Sequence, residues 1–327
     1  MFRKSPVFVL VATITLALGI GANSALFGLL DALTNRMPTA VLASDRLVWV
    51  HNPGPLEDAS YPDFLDLREQ AAPWMDVAAV YDAHVSLGSG AEPARVAAQL
   101  VSANYFDVLG VAPARGRGFL PEEDDVVGAG AVVVVGHALW ERSFDADPPI
   151  IGRTVLIAGY PFTVVGVAPL GFVGTNFEHP AELWVPATMQ PIAAAVDYDF
   201  LGSRRSPSFQ LLGRLKPGTT LDDARRAIAV ISARLDPLEP KRFRPVRLEV
   251  HPLRGWAPPG AMKGMVPIIA FSWMLTALVL LVACAAGLIF GAVPAWRAAR
   301  PDVRPLLAGA GPGAGDGTSR RRRLQAT

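Results

Sequence analysis

Two long stretches without a charged side chain constrain this chain more than any other feature. The first, Ser5 to Leu30, reads "SPVFVLVATITLALGIGANSALFGLL"; the second runs from Gly264 to Trp296. A bilayer core of about 30 Å takes roughly 20 apolar residues in a helix rising about 1.5 Å per residue. Both stretches reach that length, and both exceed an ordinary soluble helix. Residues 31–263 between them are of mixed composition. The pattern predicts two membrane-spanning helices, 6–33 and 265–293, on either side of one extramembrane body, 34–263. A second reading of the first run stays open. Arg3 and Lys4 ahead of it and the small residues of "ANSA" also suit a cleaved signal peptide, although the uncharged span is longer than the usual apolar core of about 7–15 residues.

Orientation follows from the basic residues beside the spans, because lysine and arginine mark the cytoplasmic side. Arg3 and Lys4 precede the first run. Arg297, Arg300, Arg304 and Arg320 to Arg323 follow the second. The N-terminus (1–5) and the basic tail (294–327) therefore read as cytoplasmic, and the body lies across the membrane from them. Arg36 and Lys263 weaken the contrast slightly. Small residues in the spans suit close helix approach: Gly19 and Gly21 in the first, and the GxxxG pair Gly287 and Gly291 in the second.

A net charge of +1 excludes a general nucleic-acid binder, which needs a basic excess to neutralise phosphates. The single cysteine, Cys284, excludes an intrachain disulfide and reads as a small buried hydrophobe.

The body reads as α+β. "RLVWVHN" (46–52) is strand-like. "SYPDFLDLREQ" (60–70) is a helix capped by Ser60, with Pro62 in its first turn. "DVAAVYDAHVSL" (76–87) and "FQLLGRLK" (209–216) are strands. "LDDARRAIAVISARL" (221–235) is an amphipathic helix with Leu221, Ala224, Ile228, Ile231 and Leu235 on one face; Thr220 and Asp223 start it as a capping box. "PVRLEVHPL" (245–253) returns as a strand. Two strand–helix–strand units thus bracket a central portion, 110–205, read as an inserted mixed α/β subdomain of short strands and turns. Within it "AVVVVGHALW" reads as strand, and "GRTVLIAGYPFTVVGVAP" as a hairpin about Ala158–Pro161. Gly152, Gly159 and Gly166 take turn and close-packing roles there. The flanking parts, 40–109 and 206–255, form the rest of the body.

Catalytic motifs are missing. The sequence holds no GxxxxGK[ST] phosphate loop, no GxSxG elbow and no HExxH zinc motif. The histidines at 51, 84, 137, 179 and 251 lack ligand spacing, and "PEEDD" (121–125) reads as a solvated acidic turn. No catalytic, cofactor or metal residue is nominated, and the expectation is a non-catalytic membrane protein.

Several stretches nevertheless carry a family pattern. "SYPDFLDLREQ", "VSANYFDVLGVAPARGRGFLPEEDD", "ALWERSFDADPPIIGRTVLIAGYPFTVVGVAP" and "LKPGTTLDDARRAI" resemble the periplasmic core domain of MacB-like, FtsX-like ABC transporter permeases of the long acidobacterial type. "LALGIGANSALFGLLDAL" is similar to their first transmembrane helix. The resemblance covers about residues 3–310. It implies a bacterial inner-membrane protein with a porter-like periplasmic domain of βαβ units and an inserted subdomain, to which the two uncharged runs add a two-pass topology. It implies a separate ABC ATPase, a second copy or permease partner, a periplasmic adaptor and no cofactor. One departure stands out. "LTALVLLVACA" resembles the start of the family's second helix, whereas "AGLIFGAVPAWRAARPDVRPLL" resembles the end of its fourth. The two are joined as if truncated or internally deleted, without the basic segment thought to contact the ATPase. A membrane-anchored periplasmic interaction domain without ATP coupling is therefore the alternative reading.

Overall fold

Hydrophobic alternation and two helix caps build the framework. In the computed structural model β1 (Leu47–His51), α1 (Tyr61–Ala71) and β2 (Met75–Leu87) form the first strand–helix–strand unit. Ser60 caps α1 as the sequence predicts, its hydroxyl accepting from the Asp63 N–H at 3.3 Å. Next come β3 (Ala94–Val101), α2 (Tyr105–Leu109), β4 (Arg115–Gly116), β5 (Val132–Val135) and α3 (His137–Phe144). The hairpin strands β6 (Thr154–Ile157) and β7 (Tyr160–Val167), then β8 (Leu183–Pro186) and α4 (Gln190–Ala193), complete the central portion. The second unit is β9 (Gln210–Leu215), α5 (Leu221–Leu235) and β10 (Glu249–Pro252).

The structure describes residues 40–53, 58–88, 93–176, 179–194, 198, 200–241 and 245–253, with scattered residues of the two uncharged runs. Among the described residues no helix is long and apolar enough to cross a membrane. The expected spans fall almost wholly outside them. What is described there is helical, and Ile14, Ile20, Trp273 and Leu281 among it are exposed. The chain divides into two units, Met1–Asn23 with Phe271–Thr327, and Ser24–Ala270, and the second holds the whole sheet.

That sheet has ten strands among the described residues, in the order β10-β1-β9-β2-β3-β8-β5-β7-β4, with β6 pairing β2 and β7. In the order β10-β1-β9-β2 each strand is antiparallel to its neighbour, so each βαβ unit keeps its own two strands parallel, with a strand of the other inserted between them. This is the split βαβ arrangement of ferredoxin-like folds. Helices α1 and α5 cover one face. Phe64, Leu67 and Ala71 meet Ala224, Ile228, Ile231 and Leu235 over Val48, Val50, Val77 and Leu211. The opposite face, with Leu47, Trp49, Ala78, Val80 and Leu212, packs against Tyr105, Phe106, Val108 and Leu109 of α2. Each fully buried side chain of this size contributes about 1.5–3 kcal/mol.

The central portion continues the same sheet. β3 pairs β8 in parallel, β8 pairs β5, β5 pairs β7, and β7 pairs β6. Strand β6 then returns to the far end of β2 through the Leu87–Ile157 pair. These six strands close into a ring around Val96, Leu100, Val133, Ile157, Phe162, Val164 and Val185.

Two segments differ from the sequence expectation. "AVVVVGHALW" is strand only through Val135. Gly136 hydrogen-bonds the Glu182 carbonyl, and α3 begins at His137, burying Leu139 and Trp140. The strand expected over 245–253 starts only at Glu249. The N–H groups of Val246 and Leu248 are taken by Asp236 and Ser232 of the α5 end, at 2.8 and 3.1 Å, and so are not free for a ladder.

Candidate functional site

The residues that join the sheet to its flanking segments lie together. The Leu253 N–H donates to the Leu47 carbonyl at 2.9 Å, so the chain leaving β10 is bonded to the chain entering β1. Two arginines fasten the incoming stretch 40–46. Arg46 Nε donates to the Leu215 carbonyl at 2.9 Å. Arg214, on β9, reaches the carbonyls of Leu42 (2.7 Å), Ala43 (3.2 Å) and Val108. Gly110 sits beneath: a Cβ there would stand 3.1 Å from Leu42 Cβ and 3.2 Å from Arg214 Nη2. Burial, and then repulsion from Arg46, pull the Arg214 pKa down; a guanidinium stays charged regardless. A charged group donating to three carbonyls makes a stiff link, because charge-assisted hydrogen bonds are about twice as strong as neutral ones.

A second polar cluster joins the middle of β2 to β3, β8 and α2. Gln99, 1% exposed, accepts from Tyr105 Oη at 3.1 Å and Trp184 Nε1 at 3.0 Å, and donates to Asp82 Oδ1 at 2.9 Å. Asn176 donates to the other oxygen of Asp82 at 2.7 Å. A third lies in "PEEDD", which is not a uniformly solvated turn. Asp124 is buried and accepts the N–H groups of Ala103 and Thr188, both at 3.1 Å. Burial pushes its carboxyl pKa up, opposed by those same bonds. Glu123 instead pairs with Arg117; partial burial, the largest single influence, pushes its pKa up, but the Arg117 hydrogen bond, the Leu120 N–H and the Arg117 charge together hold it low. Beside Asp124 a cleft of about 510 Å³ is lined by Tyr61, Leu65, Arg68, Thr188 and Leu201.

The histidines read as scattered do meet. His51 ends β1 and His251 lies on β10, and their ring centroids are 4.9 Å apart. His251 Nε2 is 3.1 Å from Glu249 Oε2. Two stretches with the same Val-His ending, "VWVHN" and "LEVHP", carried this signal, but it needs the β1–β10 pairing to be seen.

Of the residues predicted to pack helices, Gly21 is helical, with open space where a Cβ would stand. Gly19, Gly287 and Gly291 lie outside the described residues, as do Arg3, Lys4, Arg297, Arg300, Arg304, Cys284 and the junction between the two helix-like motifs. Gly152 and Gly159 hold positive φ (+86° and +80°) in turns, and Gly166 is close-packed, as expected.

Comparison with known proteins gives one family. Its profile, the MacB-like periplasmic core domain, matches residues 9–231. The macrolide export ATP-binding/permease protein MacB 1/2 of Paracoccus denitrificans is 35% identical over 103 residues, which are 32% of this chain and 15% of that protein. The periplasmic region of MacB from Actinobacillus actinomycetemcomitans aligns with 15% identity and a TM-score of 0.47, covering 68% of this chain and 94% of that one. The extracellular domain of the noncanonic ABC-type transporter YknZ from Gram-positive bacteria gives 14% and 0.45, covering 63% and 99%. The profile spans the sheet from β1 through β9 and most of α5, so the chain belongs to the family of MacB-like periplasmic core domains.

Proposed function

We propose that this chain is a permease-type subunit of an ABC export or mechanotransmission system, passing conformational change between membrane helices and a periplasmic domain. Its place is the bacterial inner membrane, with spans at 6–33 and 265–293, both termini cytoplasmic, and residues 34–263 periplasmic with 110–205 as an insertion. It is non-catalytic; a separate ABC ATPase supplies ATP hydrolysis, and a second copy or permease partner and a periplasmic adaptor complete the assembly. Family membership and the relative's description as an ATP-binding/permease protein support this reading.

The observation that carries it is the bond from Leu253 to Leu47. Displacement of either flanking segment is delivered to the same pair of strands, and Arg46 and Arg214 pass it to β9.

The test is copurification of the full chain with an ATPase subunit in mild detergent, followed by the same experiment after deletion of 294–327. Capture that depends on the tail supports coupling. Periplasmic crosslinks to an envelope protein, with no ATPase recovered, would favour the anchored interaction domain, which the joined helix motifs of the sequence also suggest.

A further inference from the structure

We propose that His51, Glu249 and His251 form a binding site for a divalent transition metal of the zinc class on the β1–β10 pair. The backbone register places them together. His51 is the partner of Glu249, and Trp49 of His251, so all three side chains stand on the sheet face opposite α1 and α5. Directly opposed residues on one face have Cβ atoms about 4.5–5.5 Å apart, and long side chains also reach their diagonal neighbours. Here one ligand atom from each residue lies within 4.8 Å of the others. The Glu249 Oε2–His251 Nε2 separation of 3.1 Å already approaches the roughly 3.3 Å between ligand atoms of a tetrahedral zinc with bonds of about 2.0–2.1 Å.

The surroundings suit such an ion. His51 is 9% exposed, while the side chains of Glu249 and His251 are 53% and 40% exposed. The site is backed by the sheet and open on its outer side, which leaves a fourth position for water or an incoming group. Two imidazoles and one carboxylate are donors for zinc, nickel or copper; calcium and magnesium take all-oxygen sets. The register is held from beyond the site, where Asn52 accepts from the Arg247 N–H at 2.9 Å and donates to the Pro245 carbonyl at 3.2 Å. A one-residue slip would turn the set to opposite faces. An ion here clips the edge strand β10 to β1, and so joins the outgoing and incoming chain more firmly.

The test uses the full chain, stripped with chelator and titrated with zinc chloride by calorimetry, then with cobalt(II) by visible absorption. One zinc per chain is expected, with an intense tetrahedral cobalt spectrum. His251→Ala weakens binding by at least about 100-fold, more than the loss of an outer-shell partner. Glu249→Gln weakens it too. Both positions are exposed on an edge strand, so the fold survives, as circular dichroism checks. His84→Ala, which disrupts the other close histidine pair, with His179 at 6.2 Å, leaves binding unchanged. Zinc affinity equal in the parent and His251→Ala, or no saturable binding below about 100 μM, would reduce the cluster to a packing contact and overturn the proposal.

Discussion

Trp184 donates its indole N–H to Gln99 Oε1 at 3.0 Å, between residues that are also backbone partners across the parallel β3–β8 pair. The same oxygen takes the Tyr105 hydroxyl, and the amide nitrogen binds Asp82. Gln99→Leu leaves a buried indole N–H and a buried phenol unpaired while filling the same space. Each orphaned group costs about 1–3 kcal/mol. The variant should lose about 2–4 kcal/mol in urea unfolding followed by tryptophan fluorescence.

Two glycines of the central portion separate strain from crowding. A Cβ on Gly166 would stand 2.2 Å from the Arg117 carbonyl, inside rigid backbone. Gly159 has φ +80° but open space around it. Gly166→Ala is expected to cost about 3 kcal/mol or more through overpacking, and Gly159→Ala about 1–2 kcal/mol through the left-handed backbone alone. Thermal midpoints of the two variants, measured side by side, check the order.

Asp124→Ala strips acceptors from two buried backbone N–H groups, those of Ala103 and Thr188. A loss of about 2–3 kcal/mol follows from the desolvation those groups would suffer. Asp124→Asn keeps one acceptor oxygen and sets an amide donor against the other N–H, so it recovers only part of the loss in the same urea assay.

Arg214→Ala should loosen residues 40–46 without touching the helical face. Hydrogen exchange at Leu42 to Arg46 is expected to rise about tenfold, equivalent to about 1.4 kcal/mol, while the amides of α5 keep their protection. Uniform acceleration through both regions would mean that Arg214 acts on global stability alone.

The α5 cap carries a pH signature. Asp223 is held below its ordinary pKa by hydrogen bonds from the Thr220 hydroxyl and N–H, with Arg226 adding to them. A depressed folded pKa gives stabilisation that is complete above the unfolded value, about pH 4, and lost as pH falls through the folded one. Amide exchange in the first turn of α5 should therefore rise below about pH 4, and Thr220→Ala should blunt that rise.

Much of the frame was legible in the sequence because local chemistry dictated it. Ser60 and Thr220 announce their helices, the apolar face of α5 falls where its periodicity puts it, and Gly159 marks the hairpin. What stayed hidden depends on distant partners. Val246 and Leu248 look like strand residues, yet their N–H groups go to Asp236 and Ser232. Asp124 looks solvated within an acidic run until Ala103 and Thr188 are folded around it. His51 and His251 share a preceding valine but lie far apart along the chain; only the β10-β1 edge of the sheet brings them together.

The position of β1 between two late strands sets how long it goes unpaired during synthesis. Its neighbours on both sides, β9 and β10, begin at Gln210 and Glu249. At translation rates of about 5–20 residues per second, β1 waits on the order of 10–30 s with both edges bare. A newly made molecule thus presents a ready template for mispairing with its neighbours until its last strands arrive.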